Sequence, residues 1–429
     1  MLPDSASRID RVLVQLASYN TALQGVQGVP QDLVDWLSPT LEVSNFLARD
    51  PRGPDIVAVG FQELLPLHLG LSGFSRSVIE NRNALILSQI EAHAPDKGRY
   101  SLVAKVVNVG VALLVYAKDT GIARRVTDVQ TSWIGCGPAY MGNKGAVGVR
   151  FRVQNVDAGV GEVYTFVCAH LTAHEPKLAQ RIADYHHIVR SLLFAPLPGT
   201  STTSPSTIYS TSHLFLLGDL NFRLALPSSH ALAGPANRLN LESALSTLEG
   251  REELKEFDQL LVEHRNNTVL QGMREGEFWQ FKCSYKYDIG KVDHYSTKRT
   301  PSWTDRILYT TYTDSPDTPD KTDITNMLYT AIPSYTTSDH KPIVSLLLLP
   351  PSSPSISSPL ETIPLLQHRP DFSPDRYATL KRYTGRTLDR IIGVAWLFLV
   401  VIGAGNAVIG VGNCLLGIGA WTWWKEKSS

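Results

Sequence analysis

The chain has 429 residues, enough for one large domain or two ordinary domains with full hydrophobic cores. Basic and acidic residues each number 40, so no net charge attracts the chain to nucleic acid or to an acidic membrane, and an anionic ligand must be held by a local basic cluster. The four cysteines are widely spaced without a CxxC pair, which argues against a disulfide framework and a zinc site and predicts a reducing compartment.

Strand patterns dominate the first 350 residues. Predicted strands cover residues 11–19, 55–61, 100–107, 109–116, 146–153, 163–170, 214–217, 306–311 and 343–349. Helical periodicity predicts helices over residues 32–46, 76–92, 177–194 and 238–264, and a Ser/Thr/Pro-rich stretch over 196–212 predicts a surface loop. Several strands follow one another without a helix between them. This pattern predicts an α/β layered protein with one mixed sheet or two packed sheets.

The composition changes after residue 350, where proline and serine become frequent up to about residue 374. Such a stretch is typical of a linker. We therefore predict a folded domain over residues 9–349, a linker over 350–376 and a separate C-terminal segment over 377–429.

Polar side chains stand where many of the predicted strands end. Asp219 and Asn221 directly follow an apolar run, where a buried carboxylate needs a partner. Taken singly, such residues have ordinary structural explanations: Asp219 could close an Asx turn, Glu63 could cap a helix and His170 could be a core histidine. Because strand ends at one edge of a sheet converge, their repetition instead predicts one site. The residues at these ends are Asn20, Glu63, His170, Asp219, Asn221, Asp305, Asp339 and His340.

This set of side chains suits a hard divalent cation. Glu63 supplies an anionic oxygen, Asn20 supplies a neutral one and Asp339 is a candidate for a third, with waters completing an octahedron. No cysteine takes part, and two histidines far apart in the chain do not make a zinc site. We therefore predict Mg²⁺.

With magnesium, the expected reaction is the hydrolysis of a phosphate ester. The metal would polarise a phosphoryl oxygen. Asp219, with Asn221 beside it, could deprotonate and aim a water molecule. An imidazolium at His340, held by a carboxylate such as Asp305, would stabilise the pentacovalent oxyanion.

Seven motifs, in this order, resemble those of the inositol polyphosphate 5-phosphatases, a family of the endonuclease/exonuclease/phosphatase superfamily. They are FQE (61–63), NKGAV (143–147), AHLTAHE (169–175), GDLNFR (218–223), YKYD (285–288), PSWTDRIL (301–308) and SDHKPI (338–343). The resemblance covers about residues 11–349. It implies a DNase I-like fold, with two mixed β-sheets packed as a sandwich and flanked by helices, and magnesium-dependent removal of the 5-phosphate from phosphoinositides.

The resemblance also implies a role for each metal-side residue. Glu63 would be the principal magnesium ligand, with Asn20 and Asp339 near the metal. Asp219 would be the general base. Asn221 would orient the water or the phosphate.

On the phosphate side, the resemblance implies that His340 contacts the scissile phosphate and that Asp305 positions it. His170 would be a second histidine on that phosphate. The chain departs from the family pattern at Tyr19, where tryptophan is usual, and at Thr304, where cysteine is usual. We interpret both departures as packing variants.

Basic residues supply the substrate prediction. By resemblance, Tyr285, Lys286 and Arg299 match residues that clamp the 4-phosphate of the substrate. Asn143 and Lys144 match residues near the 1-phosphate, from which the lipid chains leave. The alternative interpretation is a solvated basic surface, but a ring with several phosphates needs fixed cations.

Residues 391–424 contain no charged side chain and are rich in glycine. At about 34 residues, this segment exceeds the roughly 20 that one membrane span needs, so it could form one tilted span or a hairpin of two short helices. A core helix is disfavoured because the linker would separate it from the domain. We expect a C-terminal membrane anchor, with slight preference for a single span, and a catalytic domain that faces the cytosol.

Two other functions compete with a membrane-anchored phosphoinositide phosphatase. A phosphoinositide-binding protein without activity would need a broken catalytic set, yet all the strand-end positions are intact. A superfamily nuclease or phosphodiesterase is disfavoured by the neutral net charge and the apolar C-terminal segment. We therefore expect a lipid substrate and no nucleic-acid partner.

Overall fold

The computed structural model describes residues 11–23, 52–94, 97–155, 161–197, 203–352 and 363–403, together with residues 415, 416, 418, 419, 421, 423 and 424. Within these residues, two six-stranded mixed sheets form the centre of the molecule. Each sheet contains one parallel pair of strands among antiparallel pairs. The predicted helix over residues 32–46 lies outside the described residues.

The first sheet has the strand order β11-β12-β1-β2-β4-β3. Its strands, in chain order, are β1 (Leu13–Asn20), β2 (Ile56–Gln62), β3 (Tyr100–Asn108), β4 (Val111–Lys118), β11 (Thr325–Ala331) and β12 (Ile343–Leu348). The central strands β1, β2, β4 and β12 are buried along their whole length because helices or the other sheet cover both faces.

The second sheet has the order β5-β6-β7-β8-β10-β9. It contains β5 (Val126–Gly135), β6 (Gly145–Val153), β7 (Glu162–His170), β8 (His213–Asp219), β9 (Arg274–Glu275) and β10 (Asp305–Thr311). The described helices are α1 (Leu67–Ser72), α2 (Ser75–His93), α3 (Leu178–Ser191), α4 (Arg238–Ser246), α5 (Leu248–Leu254), α6 (Gln259–Arg265) and α7 (Ala378–Val401).

The main core lies between the two sheets. The rings of Phe151, Phe166 and Phe215 stack across β6, β7 and β8, with neighbouring centroids 5.9 and 4.8 Å apart. Gly60 on β2 faces this layer, and a Cβ atom there would lie 2.8 Å from Sγ of Cys168. This close approach brings the carboxyl end of β2 next to the carboxyl ends of β7 and β8.

The predicted two-sheet architecture is confirmed. Three strands were not predicted, β5, β9 and β11, which are edge strands with partly exposed side chains. The helical patterning predicted over residues 238–264 is divided among three short helices in the structure. The chain turns at Thr247, whose side chain accepts a hydrogen bond from the amide of Gly250 and so starts a new helix.

Helix α7 packs directly on the domain. Its buried residues lie on one stripe, formed by Ala378, Gly385, Asp389 and Gly393. The expectation that a linker keeps this segment apart from the domain is therefore wrong for the first part of α7. Leu366, in the predicted linker, is also buried, and its amide donates to the carbonyl of Thr211. The domain boundaries themselves stay a prediction.

The predicted membrane segment covers the second half of α7 and continues beyond it into residues that the structure describes only in part. Among the described residues, no helix is both long enough and apolar enough to cross a membrane. The predicted C-terminal membrane helix is therefore not supported by the described part of the chain.

Candidate active site

Strand register places three candidate residues side by side in the second sheet. His170 at the end of β7 pairs with Asp219 at the end of β8, and Asp219 pairs with Asp305 at the start of β10. Gly218 allows this close pairing, because its φ is +145° and a Cβ atom there would lie 1.9 Å from the carbonyl oxygen of Ala169. The register therefore fixes the predicted convergence of strand ends.

The first sheet contributes from the opposite side. The amide nitrogen Nδ2 of Asn20, at the end of β1, donates to Oδ2 of Asp219 over 2.9 Å. Oδ1 of Asn20 accepts from the amide of Ala22. Glu63 follows β2 with a left-handed backbone, at φ 49°. A non-glycine residue in this region stores strain, which is common where a side chain must be aimed into a site.

His340 lies between two carboxylates. Its Nδ1 donates to Oδ2 of Asp305 over 2.9 Å, and its Nε2 lies 3.9 Å from Oδ2 of Asp219. Burial by itself would lower the pKa of His340, but the charges of Asp305 and Asp219 outweigh it and hold this pKa well above its usual range. His340 is therefore an imidazolium at neutral pH.

Asp219 is a buried, ionised carboxylate. Its Oδ1 accepts from the amide of Asn221, and its Oδ2 lies 3.3 Å from Nε2 of His170. Burial tends to raise the pKa of Asp219, but the imidazolium of His340 and the hydrogen bond from His170 outweigh burial and hold the pKa well below its usual range. Asp219 therefore carries its negative charge throughout the neutral range.

Two hydroxyl groups complete the surroundings of Asp305. Ser284 and Thr304 donate to its Oδ2 over 2.7 and 2.9 Å. The interpretation of Thr304 as a packing variant is therefore wrong, because its hydroxyl holds the carboxylate that orients His340. Ser284 was missed by the sequence analysis, since nothing in the local sequence shows that it meets Asp305. Tyr19 packs edge-on against Tyr335, and its hydroxyl shares a hydrogen bond with Oγ1 of Thr337 over 3.1 Å, so its interpretation as a packing variant stays a prediction.

Glu63, Lys144 and His170 form one corner of the site. Nζ of Lys144 lies 2.5 Å from Nε2 of His170 and 3.7 Å from Oε1 of Glu63. Burial and the charge of Lys144 lower the pKa of His170, so this imidazole is neutral. The side chain of Glu63 is 32% exposed and is the most accessible carboxylate of this corner.

Arg223 is a further site residue that the sequence analysis did not single out. Its guanidinium donates to the main-chain carbonyl and to Oδ1 of Asn221, and it lies 4.4 Å from the ring centre of Tyr285. Nδ2 of Asn221 donates to the carbonyl of Leu171. The side chain of Asn221 therefore holds the turn after β8. The signal for Arg223 was its position in the GDLNFR motif, two residues after a buried amide.

The donors present fit a divalent cation of the oxygen-binding kind. Asp219, Asp305 and His340 offer atoms within 4.8 Å of one another and form a candidate metal-binding triad among the described residues. However, a protonated His340 has no lone pair to offer at Nε2. The carboxylate of Glu63 is more accessible and offers oxygen lone pairs to a hard cation, although it also faces the ammonium of Lys144 at 3.7 Å.

The remaining metal candidate, Asp339, is engaged elsewhere. Its Oδ2 accepts from Nζ of Lys286. Burial lowers the pKa of Lys286, but Asp339 outweighs burial and raises it. The structure thus brings Asn20 and Glu63 to the Asp219 network and places Asp339 in an ion pair beside it. All three metal assignments stay predictions.

Several basic side chains lie near His174, which follows the end of β7 by four residues. Burial and the charges of Arg299, Arg223, Lys144 and Lys177 together lower the pKa of His174. Arg299 and Asn143 are exposed, and Tyr285 packs its ring 4.5 Å from that of His340. Predicted substrate-binding residues therefore lie around the carboxylate and histidine network. Their individual roles stay predictions.

A separate cavity of about 420 Å³ lies between α2, β3, β5 and α7. Arginine and lysine side chains line it, with Glu80 as its carboxylate, and Glu80 already pairs with Lys105. It offers no histidine and no second carboxylate among its described lining residues. The carboxylate and histidine network, and not this cavity, is the candidate active site.

Most of the chain is similar in sequence to known proteins. Residues 17–346 match the sequence model described as endonuclease/exonuclease/phosphatase family 2. Type II inositol 1,4,5-trisphosphate 5-phosphatase of Mus musculus is 31% identical over 316 residues, which are 73% of this chain and 28% of that protein. Type I inositol polyphosphate 5-phosphatase 8 of Arabidopsis thaliana is 28% identical over 362 residues, with 73% of this chain and 66% of that protein covered.

Synaptojanin-2 of Rattus norvegicus is 29% identical over 283 residues. The alignment covers 65% of this chain but 17% of that protein. This chain therefore matches only a part of its relatives' length, from 17% to 66% in these three proteins.

Two solved structures share the fold. The inositol polyphosphate 5-phosphatase domain of SPsynaptojanin, in complex with inositol (1,4)-bisphosphate and calcium ion, has a TM-score of 0.57 and 24% identity over 79% of this chain and 84% of that one. A Cimex nitrophorin variant, in a ferrous NO complex, has a TM-score of 0.53 and 18% identity over 79% and 99%. Proteins that bind very different ligands share this fold, so function must be argued from the site residues.

Proposed function

Because this chain belongs to endonuclease/exonuclease/phosphatase family 2, and its predicted resemblance to the inositol polyphosphate 5-phosphatases is confirmed, we propose that it is a magnesium-dependent phosphatase. It would remove the 5-phosphate from phosphoinositides such as phosphatidylinositol 4,5-bisphosphate. Relatives whose names give inositol 5-phosphatase activity support the reaction class.

The observation that carries the proposal is the buried chain of Asp305, His340 and Asp219. It sets a fixed cation beside an ionised carboxylate, with further basic side chains near His174. An ester of phosphoric acid needs both groups, one to stabilise the charge that develops on the phosphoryl oxygens and one to accept a proton from water.

His340 and Asp219 have different proposed roles in the reaction. His340, held by Asp305, would donate a hydrogen bond to the scissile phosphate. Asp219 would orient the attacking water and accept its proton. Asp219 is a weak base in the free protein because His340 lowers its pKa. A phosphate dianion next to His340 would offset that positive charge and raise the basicity of Asp219.

A magnesium ion held at Glu63 would polarise a phosphoryl oxygen and offset the developing negative charge. Lys144 and neutral His170 face the same corner. They would hold phosphate oxygens there and exclude bulk water. Arg223 would keep Asn221, and through its amide Asp219, in the geometry that the reaction needs.

The preference for a second phosphate is proposed to come from Lys286 and Arg299. Changing Arg299 to alanine is expected to lower kcat/KM on a 4,5-bisphosphate by roughly tenfold to a hundredfold, because a charge-assisted contact is worth on the order of 1.5–3 kcal/mol. A substrate with the 5-phosphate alone should lose little. Phosphate release on both short-chain substrates measures this difference.

The matched control is Lys298→Ala, which removes one positive charge from the adjacent exposed position. It should weaken both substrates slightly and equally. If Arg299→Ala also harms both substrates equally, Arg299 has no specific role toward the 4-phosphate.

We further propose that the C-terminal segment attaches the enzyme to a membrane, with the catalytic domain in the cytosol. The second half of α7 supports this, because its large apolar side chains are unusually exposed: Ile391 at 61%, Phe398 at 63% and Val401 at 65%. The docked first half of the same helix would then fix the domain next to the lipid surface.

This proposal predicts that the full chain stays in the membrane fraction through carbonate extraction. A chain that ends at Gly393 keeps the docked stripe and should move to the soluble fraction while keeping its activity on a short-chain substrate. A shortened chain that still sediments with membranes would contradict the anchor.

A further inference from the structure

The buried face of α7 meets the chain next to two candidate active-site residues. Both Oδ1 and Oδ2 of Asp389 accept from the amide of Gly142, each over 3.1 Å. Gly142 directly precedes Asn143 and Lys144. Asp389 is 2% exposed, so its carboxylate is shielded from water, and the hydrogen bond from Gly142 offsets part of the cost of burying it.

The contact between helix and loop is too close to be incidental. A Cβ atom on Gly385, one turn before Asp389, would lie 1.9 Å from the carbonyl oxygen of Tyr140. Only glycine at this position lets the helix backbone lie against the loop. Tyr140 and Gly142 belong to the same short connection between β5 and β6. Two successive turns of α7, at Gly385 and Asp389, therefore contact this connection.

The same helix also contacts the segment that follows Glu63. Nη1 of Arg390 donates to the carbonyl of Leu71 over 2.6 Å and so caps the carboxyl end of α1. A Cβ atom on Gly393 would lie 2.4 Å from the backbone of Leu71. Helix α1 begins four residues after Glu63, and Leu64 and Leu65 between them are buried.

Helix α7 therefore bridges two segments whose side chains face each other in the site. One segment leads to Glu63 and the other to Lys144, and these side chains approach to 3.7 Å. A shift of about 1 Å in such a pair can cost a hundredfold in rate. The separation of the two segments is thus set partly by a helix that lies outside the family match, which ends at residue 346.

We infer that Asp389 is a positioning residue, through which α7 holds the loop of Gly142 and places Lys144 opposite Glu63. This inference rests on the proposed phosphatase function for its effect on rate, but its structural part does not. Burial raises the pKa of Asp389 to about 6, and the hydrogen bond from Gly142 opposes that rise. The carboxylate form, which can accept from Gly142, therefore predominates at pH 7 and above.

The test uses the full chain with Asp389→Ala, and Thr387→Ala as the matched control on the exposed side of the same helical turn. Hydrogen exchange at Gly142 should accelerate about tenfold in Asp389→Ala, because the amide loses a charged acceptor, and should not change in the control. This measurement requires no substrate. Unchanged exchange at Gly142 would overturn the inference whatever the enzyme acts on.

The rate measurement tests the path to Lys144. Asp389→Ala should lower kcat/KM on a short-chain 4,5-bisphosphate about tenfold, and Asp389→Asn, which keeps one carbonyl acceptor, should lose less. If the effect acts through Lys144, adding Asp389→Ala to Lys144→Ala should cause little further loss. Fully additive losses would show that Asp389 acts independently of Lys144 and would overturn the positioning role.

Gly385→Ala provides a second variant that leaves every hydrogen-bonding group in place. Its added methyl group should displace α7 from Tyr140 and reproduce both the faster exchange and the lower rate. A wild-type chain with no phosphatase activity would refute the proposed function and leave the exchange result to decide the role of Asp389. A Gly385→Ala protein with wild-type exchange and rate would contradict the close docking of α7.

Discussion

Asp219→Asn is expected to lower kcat by about a hundredfold or more, with little change in substrate binding. The carboxylate is the proposed proton acceptor, and general-base catalysis typically contributes a factor of this size. The variant also removes one of the three negative charges, those of Asp305, Asp219 and Asp339, that hold His340 protonated. The pKa of His340 should fall, so the loss of activity at high pH should begin at a lower pH than in the wild type. Initial rates of phosphate release across a pH series measure both effects.

The structure also predicts a stability cost for this variant. Asparagine would turn one carboxylate oxygen into a donor that faces either the amide of Asn221 or Nδ2 of Asn20. A mismatched buried donor costs about 1–3 kcal/mol. Asp314→Asn is the matched control, because Asp314 is a buried carboxylate with similar amide partners outside the site. A raised KM with unchanged kcat in Asp219→Asn would contradict the role of Asp219.

Glu63→Gln is expected to remove most of the magnesium affinity and most of the activity while leaving the fold nearly intact. An amide has nearly the same shape as the carboxylate but no charge for a hard cation. Changes to groups around a metal typically cost roughly tenfold to a hundredfold in affinity, and a direct ligand should cost at least as much. Phosphate release over a magnesium titration should show a shifted midpoint as well as a lower rate.

Glu80→Gln is a suitable control, because it removes the same charge from an exposed residue that pairs with Lys105 outside the site. Its magnesium titration should match the wild type. Activity of Glu63→Gln within a few-fold of the wild type at limiting magnesium would show that the metal is held elsewhere, for example by Asp219 and Asp305.

The central strands could be predicted from the sequence because burial on both faces demands continuous apolar residues. β2 and β8 are examples, with every residue buried. The edge strand β5 has the sequence VTDVQTSWIG and several exposed positions, so its sequence carries no such signal. An edge strand is held in the sheet by hydrogen bonds to one neighbouring strand, and the local sequence does not reveal that pairing.

The core of the site could be predicted because strand pairing converts sequence position into proximity. His170 and Asp219 stand at the end of an apolar run and Asp305 at the start of one, and register brings the three together. Ser284 and Arg223 lie in irregular segments, where no periodicity predicts which distant residue they meet. Thr304 was interpreted as a packing variant, but a hydroxyl in place of a thiol can pack and donate a hydrogen bond at the same time, here to Asp305.

The C-terminal helix shows a different limit. Its apolar composition predicted a membrane segment. The spacing of Gly385, Asp389 and Gly393 places them on one face of a helix, and this docking face was not predicted. A carboxylate between two glycines on such a face is a signal for close docking with a polar contact. The amide that it binds, at Gly142, is 247 positions away and could not be predicted from sequence.

We propose above that the Asp219 network removes a 5-phosphate from a phosphoinositide. The most direct measurement is to incubate the full chain and magnesium with short-chain phosphatidylinositol 4,5-bisphosphate, and separately with abasic DNA, and to identify the products. We predict release of inorganic phosphate and formation of the 4-monophosphate, intact DNA, and at least about a hundredfold lower release by Asp219→Asn. Cleaved DNA with an unchanged lipid would contradict the proposed substrate. Equal phosphate release by the wild type and Asp219→Asn would contradict the proposed role of Asp219.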